Sequence, residues 1–411
     1  MEAIVERCAG LDVHQATVVA CVLIGEAGHK PRKEIRTFST MTRDLERLRD
    51  WLQELGVTQV GMESTGVYWK PVHAILEGYF ELIVANAHHI RNVPGRKTDV
   101  KDAEWTAELI RHGLVKPSFV PPPPIRELRD LVRLRRSLSE ALTTEQNRTL
   151  KLLETANIKL ASVVSEVFGV SGRAMMKALV ENTATPQEMA DLAKRKLRRK
   201  LEPLALALDG RLSEHHRYLL AFHLRRVEAI EADLRDLDER IAEKAQPYQA
   251  QQRLLQQIPG VDDRLAVAII AEIGIDMTVF GNARRLAAWA GVCPGNHESA
   301  GKKKNTTTRK GNVHLKTTLV QAAVCAARKK GSYYKDKYHR LKARRGSLRA
   351  AMAIAHKILV AVFHMLGKSV PFQELGEAFL DQQARKRTTT NLVHRLNNLG
   401  YEVILRPKLA A

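Results

Sequence analysis

The chain is poor in cysteine, in acidic side chains relative to basic ones, and in long apolar runs. Its four cysteines lie far apart and form no CxxC pair, which excludes zinc fingers and indicates a reduced, cytosolic protein. The longest apolar stretch, residues 350–366, is interrupted by His356, Lys357 and His364, so it predicts a buried core helix rather than a membrane span. No signal-peptide pattern is visible. We therefore expect no membrane partner.

Acidic residues are outnumbered by basic ones, 45 against 66, which gives a formal net charge of +21. Such an excess repels itself and has no structural benefit, so it is best explained by a polyanionic partner. A merely solvated basic surface is the alternative. At 411 residues, the chain is long enough for about two to four domains and a substantial core.

The first part of the chain predicts alternating strands and helices. Three β-rich segments are separated by short turns, and the helix that follows from Thr42 carries leucines on one face. The predicted strands cover residues 5–14, 17–25, 33–40, the segment ending at Glu63, and 81–87. Three helices are predicted: the first starts at Thr42, the second ends near Gly78, and the third covers residues 99–112. The order β-β-β-α-β-α-β-α is that of a ribonuclease-H-like fold.

Beyond the first domain the pattern becomes helical. Four consecutive prolines, Pro121 to Pro124, cannot continue a helix or pair in a central strand, so we expect a stiff extended connector there. Two leucine-rich runs follow, near 128–142 and 227–241, each of about two heptads, so an antiparallel coiled-coil pair and ordinary packed helices both remain open. The expected domains are residues 1–125 (α/β), 126–250 (helical, with a basic insertion), 251–371 (mainly helical) and 372–411 (basic tail).

Several basic segments are candidates for binding nucleic acid. The run KRKLRRK, residues 194–200, places six positive charges in seven residues on a predicted helix, either as a solvated face or as a phosphate-binding one. Residues 254–274 have the pattern of a helix-hairpin-helix, whose backbone N–H groups can bind phosphate, although simple packing fits equally well. The candidate residues are Lys194, Arg195, Lys196, Arg198, Arg199 and Lys200, with Lys302, Lys303, Lys304, Arg309 and Lys310 from the glycine-punctuated loop 291–312.

Four carboxylates stand at predicted strand ends or helix starts: Asp12 in GLDVHQ, Glu63 in GMESTG, and Asp99 with Asp102 in TDVKDAEW. Clustered carboxylates repel one another unless cations neutralise them. Two Mg²⁺ ions about 4 Å apart would do so, and would suit phosphodiester chemistry. Taken singly, each acid has a structural explanation, such as a helix cap for Asp99 or a first-turn acid for Asp102. The four together, in this fold order, favour a metal site.

Ser299 is the candidate nucleophile. A serine in a glycine-rich loop normally serves the turn, and the sequence identifies no histidine or aspartate as its base. The basic residues of the same loop could nevertheless hold a phosphate beside it. Ser332, in GSYY, is the alternative serine.

These motifs resemble the transposases of the IS110/IS1111 insertion-sequence family. The matching segments are GLDVHQ, MESTGVYW, TDVKDAEWTAELIRHGLV, IPGVDDRLAVAIIAEIG, GVCPGNHESAGKKK and RKGN, which together extend from about residue 5 to 370. The resemblance implies an N-terminal RuvC-like domain with Asp12, Glu63, Asp99 and Asp102 as its DEDD metal site. It further implies a helical coiled-coil segment and a C-terminal transposase domain with Ser299 as essential serine. Residues 160–225 are longer than in compact members.

The resemblance also implies an RNA-guided recombinase. Elements of the family encode a structured noncoding RNA, the bridge RNA, whose loops pair with donor and target DNA. The protein would be a homo-oligomer, a dimer assembling to a tetramer, in which each active site joins the RuvC-like domain of one protomer to the serine domain of another. We thus expect a Mg²⁺-dependent DNA transposase in the bacterial cytoplasm, nucleoid-associated when active. A junction-resolving nuclease with metal-activated water, or a non-enzymatic scaffold, are the alternatives.

Overall fold

A computed structural model describes residues 3–26, 28–64, 66–85, 102–295, 297–299, 302–305, 307–308 and 310–405. The chain divides into two compact units, Met1–Val120 and Pro121–Ala411. The predicted metal ligand Asp99 and the candidate phosphate-binding residue Arg309 lie outside the described residues. The first unit contains the other three predicted acids, and the second contains Ser299.

The first unit is a five-stranded mixed sheet with helices on its faces. Its elements are β1 Arg7–Val13, β2 Thr17–Ile24, β3 Arg32–Ser39, α1 Thr42–Glu54, β4 Gln59–Glu63, α2 Trp69–Leu76, β5 Glu81–Ala85 and α3 Asp102–Arg111. The strand order is β3-β2-β1-β4-β5. The β1–β2 and β2–β3 pairs are antiparallel, whereas β1–β4 and β4–β5 are parallel. This arrangement is consistent with the predicted ribonuclease-H-like domain.

The central strand β1 is buried on both faces, because helices cover each side of the sheet. Ala9 and Leu11 pack in a core with Leu48 of α1, whereas Cys8 packs on the opposite side with Ala107 of α3. This two-sided burial explains why RCAGLDV is nearly continuous in apolar residues instead of alternating. The predicted leucine face of α1 is the buried face of that helix.

The second unit is almost entirely helical. Its elements are α4 Pro123–Thr155, α5 Leu160–Val163, α6 Val170–Glu181, α7 Pro186–Asp191, a 3₁₀ helix Arg195–Lys200, α8 Leu201–Leu208, α9 Glu214–Ala245, a 3₁₀ helix Gln246–Tyr248, α10 Gln249–Leu255, α11 Asp263–Ile273, a 3₁₀ helix Thr278–Phe280, α12 Ala283–Ala290, β6 His297–Ser299, β7 Lys302–Asn305, α13 Val313–Ala326, α14 Tyr333–Arg345, α15 Ser347–Lys368, α16 Phe379–Gln383 and α17 Arg385–Asn398.

The two long helices α4 and α9 pack as an antiparallel pair, with Lys244 bonded to Glu127 at one end and His223 to Glu145 near the other. One apolar cluster covers each end of the pair: Leu128 and Ile241 belong to the first, and the short helices α5 to α8 build the second. Between them, residues 129–144 and 228–240 are half-buried or exposed. The middle of this pair is therefore only partly covered by its own chain.

Three sequence expectations differ from the structure. Pro123 and Pro124 form the first turn of α4 rather than an extended connector, because a proline there lacks only an N–H that would have no helical partner. Residues 195–200 form a 3₁₀ helix, and Arg195 has a left-handed backbone (φ 54°), which prevents a continuous α-helix. The segment 291–312 is not an open loop, since β6 and β7 pair within it.

Within the described ranges, one helix, Ser347–Lys368, is long and apolar enough to cross a membrane by length and composition alone. Half of its most apolar window is buried in the protein. Its buried face includes Ile354, Ile358 and Val362. This placement agrees with the predicted core helix.

Candidate active site

Asp12 and Glu63 are carried side by side by two neighbouring parallel strands. Leu11 of β1 is in register with Met62 of β4, so the next residues of the two strands, Asp12 and Glu63, reach the same end of the sheet. Both side chains are half-buried. A glycine stands two positions before each acid, in Gly10-Leu11-Asp12 and in GME, and therefore on the same sheet face as that acid.

The two glycines allow helix α3 to approach this face closely. A Cβ at Gly10 would lie 2.2 Å from the Ala103 carbonyl oxygen, and one at Gly61 would lie 2.6 Å from the Ile110 side chain. At the far end of α3, the Arg111 carbonyl oxygen accepts hydrogen bonds from the backbone near the start of β1. The helix thus runs back along β1, which puts its first residue, Asp102, at the end of the sheet where Asp12 and Glu63 lie.

His14 is a further polar group at this end and was not singled out in the sequence. Its Nε2 lies 3.1 Å from Oδ2 of Asp12, and the Asp12 side chain retains 27% of its exposure. The sequence signal is the D-x-H spacing, since alternate residues of a strand share a face. A carboxylate with one imidazole neighbour and a solvent-facing edge can still accept other partners.

The carboxylates fit a hard cation such as Mg²⁺, which prefers oxygen ligands and few of them from the protein. Strand register and the glycine contacts place three half-buried acids, Asp12, Glu63 and Asp102, towards the same end of the sheet. In the described part of the chain, no group of three or more His, Cys, Asp or Glu side chains is close enough to hold a metal ion. Asp99, the fourth predicted ligand, is not among the described residues.

Ser299 lies at the end of strand β6, where its backbone is paired with Lys302 of β7. The Gly295 N–H donates to the Thr307 carbonyl oxygen (3.0 Å) nearer the base of this hairpin. The side chains of Ser299 and of Lys302, Lys303 and Lys304 lie outside what the structure describes. The antiparallel pairing nevertheless places the backbone of the candidate serine beside the backbone of Lys302.

The alternative serine, Ser332, has a structural role. Its side chain is 1% exposed, its Oγ donates to the Lys329 carbonyl oxygen (3.0 Å), and it accepts from the Lys335 N–H (3.2 Å) as the N-cap of α14. A buried hydroxyl engaged on both sides is badly placed to attack a DNA phosphate. The placement therefore disfavours Ser332 as the nucleophile.

The base of the serine hairpin is closed by backbone contact and by a buried ionic network. A Cβ at Gly311 would lie 2.5 Å from the Gly291 nitrogen, so the two ends of the hairpin segment touch. Asn312, next in the chain, caps α13 and donates through Nδ2 to the Glu272 carboxylate (2.6 Å). Glu272 is 2% exposed and also receives two hydrogen bonds of 2.8 Å from Arg133 of α4.

Glu272 thereby ties the hairpin exit to the long helix α4, a connection that the sequence did not reveal. Its only signal was a charged residue in the apolar run AVAIIAEIG. Burial alone would raise the pKa of the Glu272 carboxyl, but hydrogen bonds from Arg133 and Asn312 and the charges of Arg133 and Arg129 outweigh it and lower the pKa. Burial in turn lowers the pKa of Arg129 to about 10.

Replacing Glu272 by Gln is expected to destabilise the second unit by about 3 kcal/mol, because two arginines lose a buried counter-charge. The lowered pKa means that the carboxylate stabilises the fold above the ordinary glutamate pKa of 4.5 and loses this contribution as pH falls below it. Wild type should therefore lose stability between about pH 5 and 3, and Glu272→Gln should lose less over the same interval.

Urea unfolding at several pH values measures this effect. Glu140→Gln is the matched control, since Glu140 lies on the same helix as Arg133 and forms an exposed pair with Arg136 (3.1 Å). The control should unfold close to wild type. Equal unfolding midpoints for Glu272→Gln and Glu140→Gln would show that the network does not stabilise the fold.

The candidate phosphate-binding segments differ in their exposure and packing. All six basic residues of 194–200 are exposed, and Lys310 is exposed beside the hairpin. The predicted helix-hairpin-helix corresponds to α10, α11 and the turn between them. In that turn, a Cβ at Gly260 would lie 2.3 Å from the Ala322 carbonyl oxygen, and Asp262 already caps α11 (2.9 Å to the Leu265 nitrogen). This turn is thus occupied by packing, which favours the packing interpretation.

The cysteines take no part in these sites. All four are free, and burial raises the pKa of both Cys8 and Cys21 to about 12. Thiols of such high pKa are protonated at neutral pH and react slowly.

Two family profiles match the chain in sequence. A profile of DEDD transposases of IS110 elements, described as "Transposase", matches residues 9–158, and the "Transposase IS116/IS110/IS902 family" matches residues 252–339. Together they cover more than half of the chain. The first match contains all four predicted acids, and the second contains Ser299.

Individual relatives are also transposases by name. The chain is 31% identical over 142 residues to the transposase for insertion sequence element IS1111A of Coxiella burnetii, covering 34% of this chain and 38% of that protein. It is 26% identical over 292 residues to a protein of Pseudomonas aeruginosa named as a family 20 transposase, covering 70% and 77%. The chain thus spans well under half of the first relative and about three quarters of the second.

Proposed function

Because the chain belongs to the IS110 family of insertion-sequence transposases, we propose that it cuts and exchanges DNA strands with Ser299 as nucleophile and with Mg²⁺ held by the acidic site. The observation that carries the proposal is the placement of Asp12, Glu63 and Asp102 towards the same end of the sheet. Asp99 would complete the set. The glycine two residues before each of Asp12 and Glu63 lets the helix that carries Asp102 pack closely on both strands, which supports the proposal.

In the proposed reaction, the Ser299 hydroxyl oxygen forms a bond to a DNA phosphorus, and the bond from that phosphorus to a bridging sugar oxygen breaks. The proton lost by the serine is balanced by the one that the leaving sugar oxygen takes up. Mg²⁺ bound to the acids would neutralise the charge that develops on the phosphate in the transition state. The phosphoserine link conserves the phosphoester, so attack by another strand's sugar oxygen releases the serine and joins DNA without an energy source.

A junction-resolving nuclease that uses water as its only nucleophile is the second candidate function. The same three acids would serve it, since their placement towards one end of the sheet does not depend on a serine. The two functions differ in product. A covalent protein–DNA adduct belongs to the recombinase, whereas simple nicks or cuts with free ends belong to the nuclease.

We further propose donor DNA, target DNA and a structured guide RNA as partners. The net charge of +21 and the exposed basic run support polyanion binding of this extent. Sequencing the RNA that copurifies with the protein tests the guide. A single structured species encoded beside the gene is expected, and a random sample of cellular RNA would contradict RNA guidance. The cytoplasm, with nucleoid association during reaction, is the proposed location.

The long helix pair supports the proposal of a coiled-coil oligomer. Its middle part is only half-buried within the chain, and Leu134 is 49% exposed there. Half-covered apolar residues on a long pair are suited to packing against the same pair of a second copy. A dimer built in this way, assembling to a tetramer, would supply the two DNA sites that a strand exchange requires.

Replacing the six basic residues of 194–200 by alanine is expected to make DNA affinity less dependent on salt. Each phosphate contact that is lost reduces the slope of log affinity against log salt by about 0.9 for duplex DNA. Because these side chains are exposed, the fold should persist. Fluorescence anisotropy of a labelled duplex at several salt concentrations measures the slope. An unchanged slope would identify the run as a solvated face.

A further inference from the structure

A cavity of about 310 Å³ lies in the second unit, away from the serine hairpin in sequence. Three segments line it: the start of α14 with Tyr333 and Tyr334, the middle of α15 with His356 and Lys357, and residues 372–375, which follow α15. Residues 372–375 belong to the segment predicted as a basic tail. They form one wall of the cavity.

The aromatic walls are held in place by neighbouring rings and backbone bonds. The Tyr334 and Phe372 rings lie 5.9 Å apart, and the Tyr333 ring meets Phe379 edge to face at 5.7 Å. The Glu374 carboxylate accepts hydrogen bonds from the Tyr333 N–H (2.9 Å) and from the Gly376 N–H (3.0 Å). The chain between 372 and 376 is thereby fastened to the start of α14, so the cavity is preformed.

The polar groups of the cavity are suited to a base and its phosphate. The Lys357 ammonium lies 5.7 Å from the centre of the Tyr333 ring and is exposed, so it can meet an anion beside that ring. Burial and the charge of Lys357 lower the pKa of His356, which leaves a neutral imidazole able to donate and to accept. Gln373, exposed in the third wall, offers an amide donor and acceptor.

The surroundings favour nucleic acid over an uncharged ligand. The cavity tyrosines stand in RKKGSYYKDKY, where exposed Arg328, Lys329 and Lys330 precede them and further lysines follow. Aromatic rings interleaved with cations are the pattern by which proteins hold unpaired nucleotides, with stacking on the ring and attraction at the phosphate. An uncharged apolar ligand would gain nothing from these cations.

From these observations we infer that the cavity formed by Tyr333, Lys357 and residues 372–375 binds one unpaired nucleobase together with its adjacent phosphate. The inference rests on the proposed function only in requiring that the protein handles nucleic acid. Strand exchange necessarily leaves bases unpaired, and a preformed pocket would keep one of them out of the duplex. DNA and RNA can both supply such a base.

The test uses a five-nucleotide single strand with 2-aminopurine as its only base and abasic residues on either side, so that fluorescence quenching reports stacking of that base alone. Wild type should quench the base saturably. Tyr333→Ala should weaken binding, which raises the half-saturation concentration about tenfold. Tyr333→Phe, which keeps the ring, should stay within about twofold, as should the control Tyr338→Ala, on the same helix outside the cavity.

Lys357→Ala is a second variant that leaves the packing of the Tyr333 ring in place, because the Lys357 side chain is exposed. It should weaken binding severalfold, whereas Lys368→Ala at the end of the same helix should not. Deoxyribose and ribose versions of the strand, titrated side by side, identify the source of the base by the tighter binding.

Duplex DNA binding, measured in parallel by gel shift, separates the two proposals. Duplex binding without quenching, or with quenching that Tyr333→Ala and Lys357→Ala leave unchanged, would overturn the pocket alone. Absence of both signals would overturn the pocket and also the DNA-binding part of the proposed function.

Discussion

Ser299→Ala is expected to lower recombination on the order of a thousandfold or more, because the hydroxyl oxygen that would form the covalent link is removed. Loss of one hydroxyl costs little stability in comparison with buried core changes, so DNA binding and the unfolding midpoint should stay close to wild type. The assay joins a donor and a target DNA in Mg²⁺ with the copurified RNA and counts recombinant junctions by quantitative amplification.

Ser332→Ala is the informative comparison, since Ser332 is buried and caps α14. It should lower stability by about 1 kcal/mol through the lost cap and should keep recombination at temperatures where the fold persists. If Ser299→Ala recombined normally while Ser332→Ala did not, the nucleophile would be misassigned. If Ser299→Ala still cut DNA in Mg²⁺, water would be the nucleophile and the junction nuclease would be the better description.

Asp12→Asn is expected to lower strand cutting at least about a hundredfold, because it removes a charge that the metal site would use to stabilise the transition state. The change keeps the shape of the side chain and a hydrogen bond to His14, so the fold should persist. Affinity for DNA should be equal or slightly higher, since a negative charge has been removed.

Glu104→Gln is the matched control for the acidic site. Glu104 lies two residues beyond Asp102 on α3 and pairs with Lys33 (2.9 Å). Its replacement therefore removes one acid from the same helix and leaves the proposed ligands unchanged. Cutting should be nearly unchanged in this variant and lost in Asp102→Asn. Equal activity of Asp12→Asn and wild type across a Mg²⁺ titration would refute the metal-site proposal.

Much of the first unit could be predicted because its signals are local. The leucine spacing of α1 and the β-rich segments gave all eight elements in their observed order, and Asp12 and Glu63 were placed at strand ends. The placement of Asp12 and Glu63 at the same end of the sheet follows from parallel register, once β1 and β4 are neighbours. The glycines before the two acids carried the same information, but only the packing of α3 showed what they are for.

Long-range features could not be predicted in this way. Arg133 and Glu272 lie 139 residues apart, so no periodicity connects them, and the network at the hairpin base became visible only through contacts. Pro123 was misjudged because proline breaks a helix in its interior but is favoured in its first turn. The pocket at Tyr333 needed residues 372–375, which no sequence motif linked to α14.

The central claim is tested most directly by locating the covalent bond between protein and DNA. The reaction is stopped by denaturation, the DNA is digested to a single nucleotide, and tryptic peptides are sequenced by mass spectrometry. We predict a nucleotide attached at Ser299 in the peptide 286–302, dependent on Mg²⁺ and absent in Asp12→Asn. DNA that is cut while no peptide carries a nucleotide, or a nucleotide attached elsewhere, would contradict it.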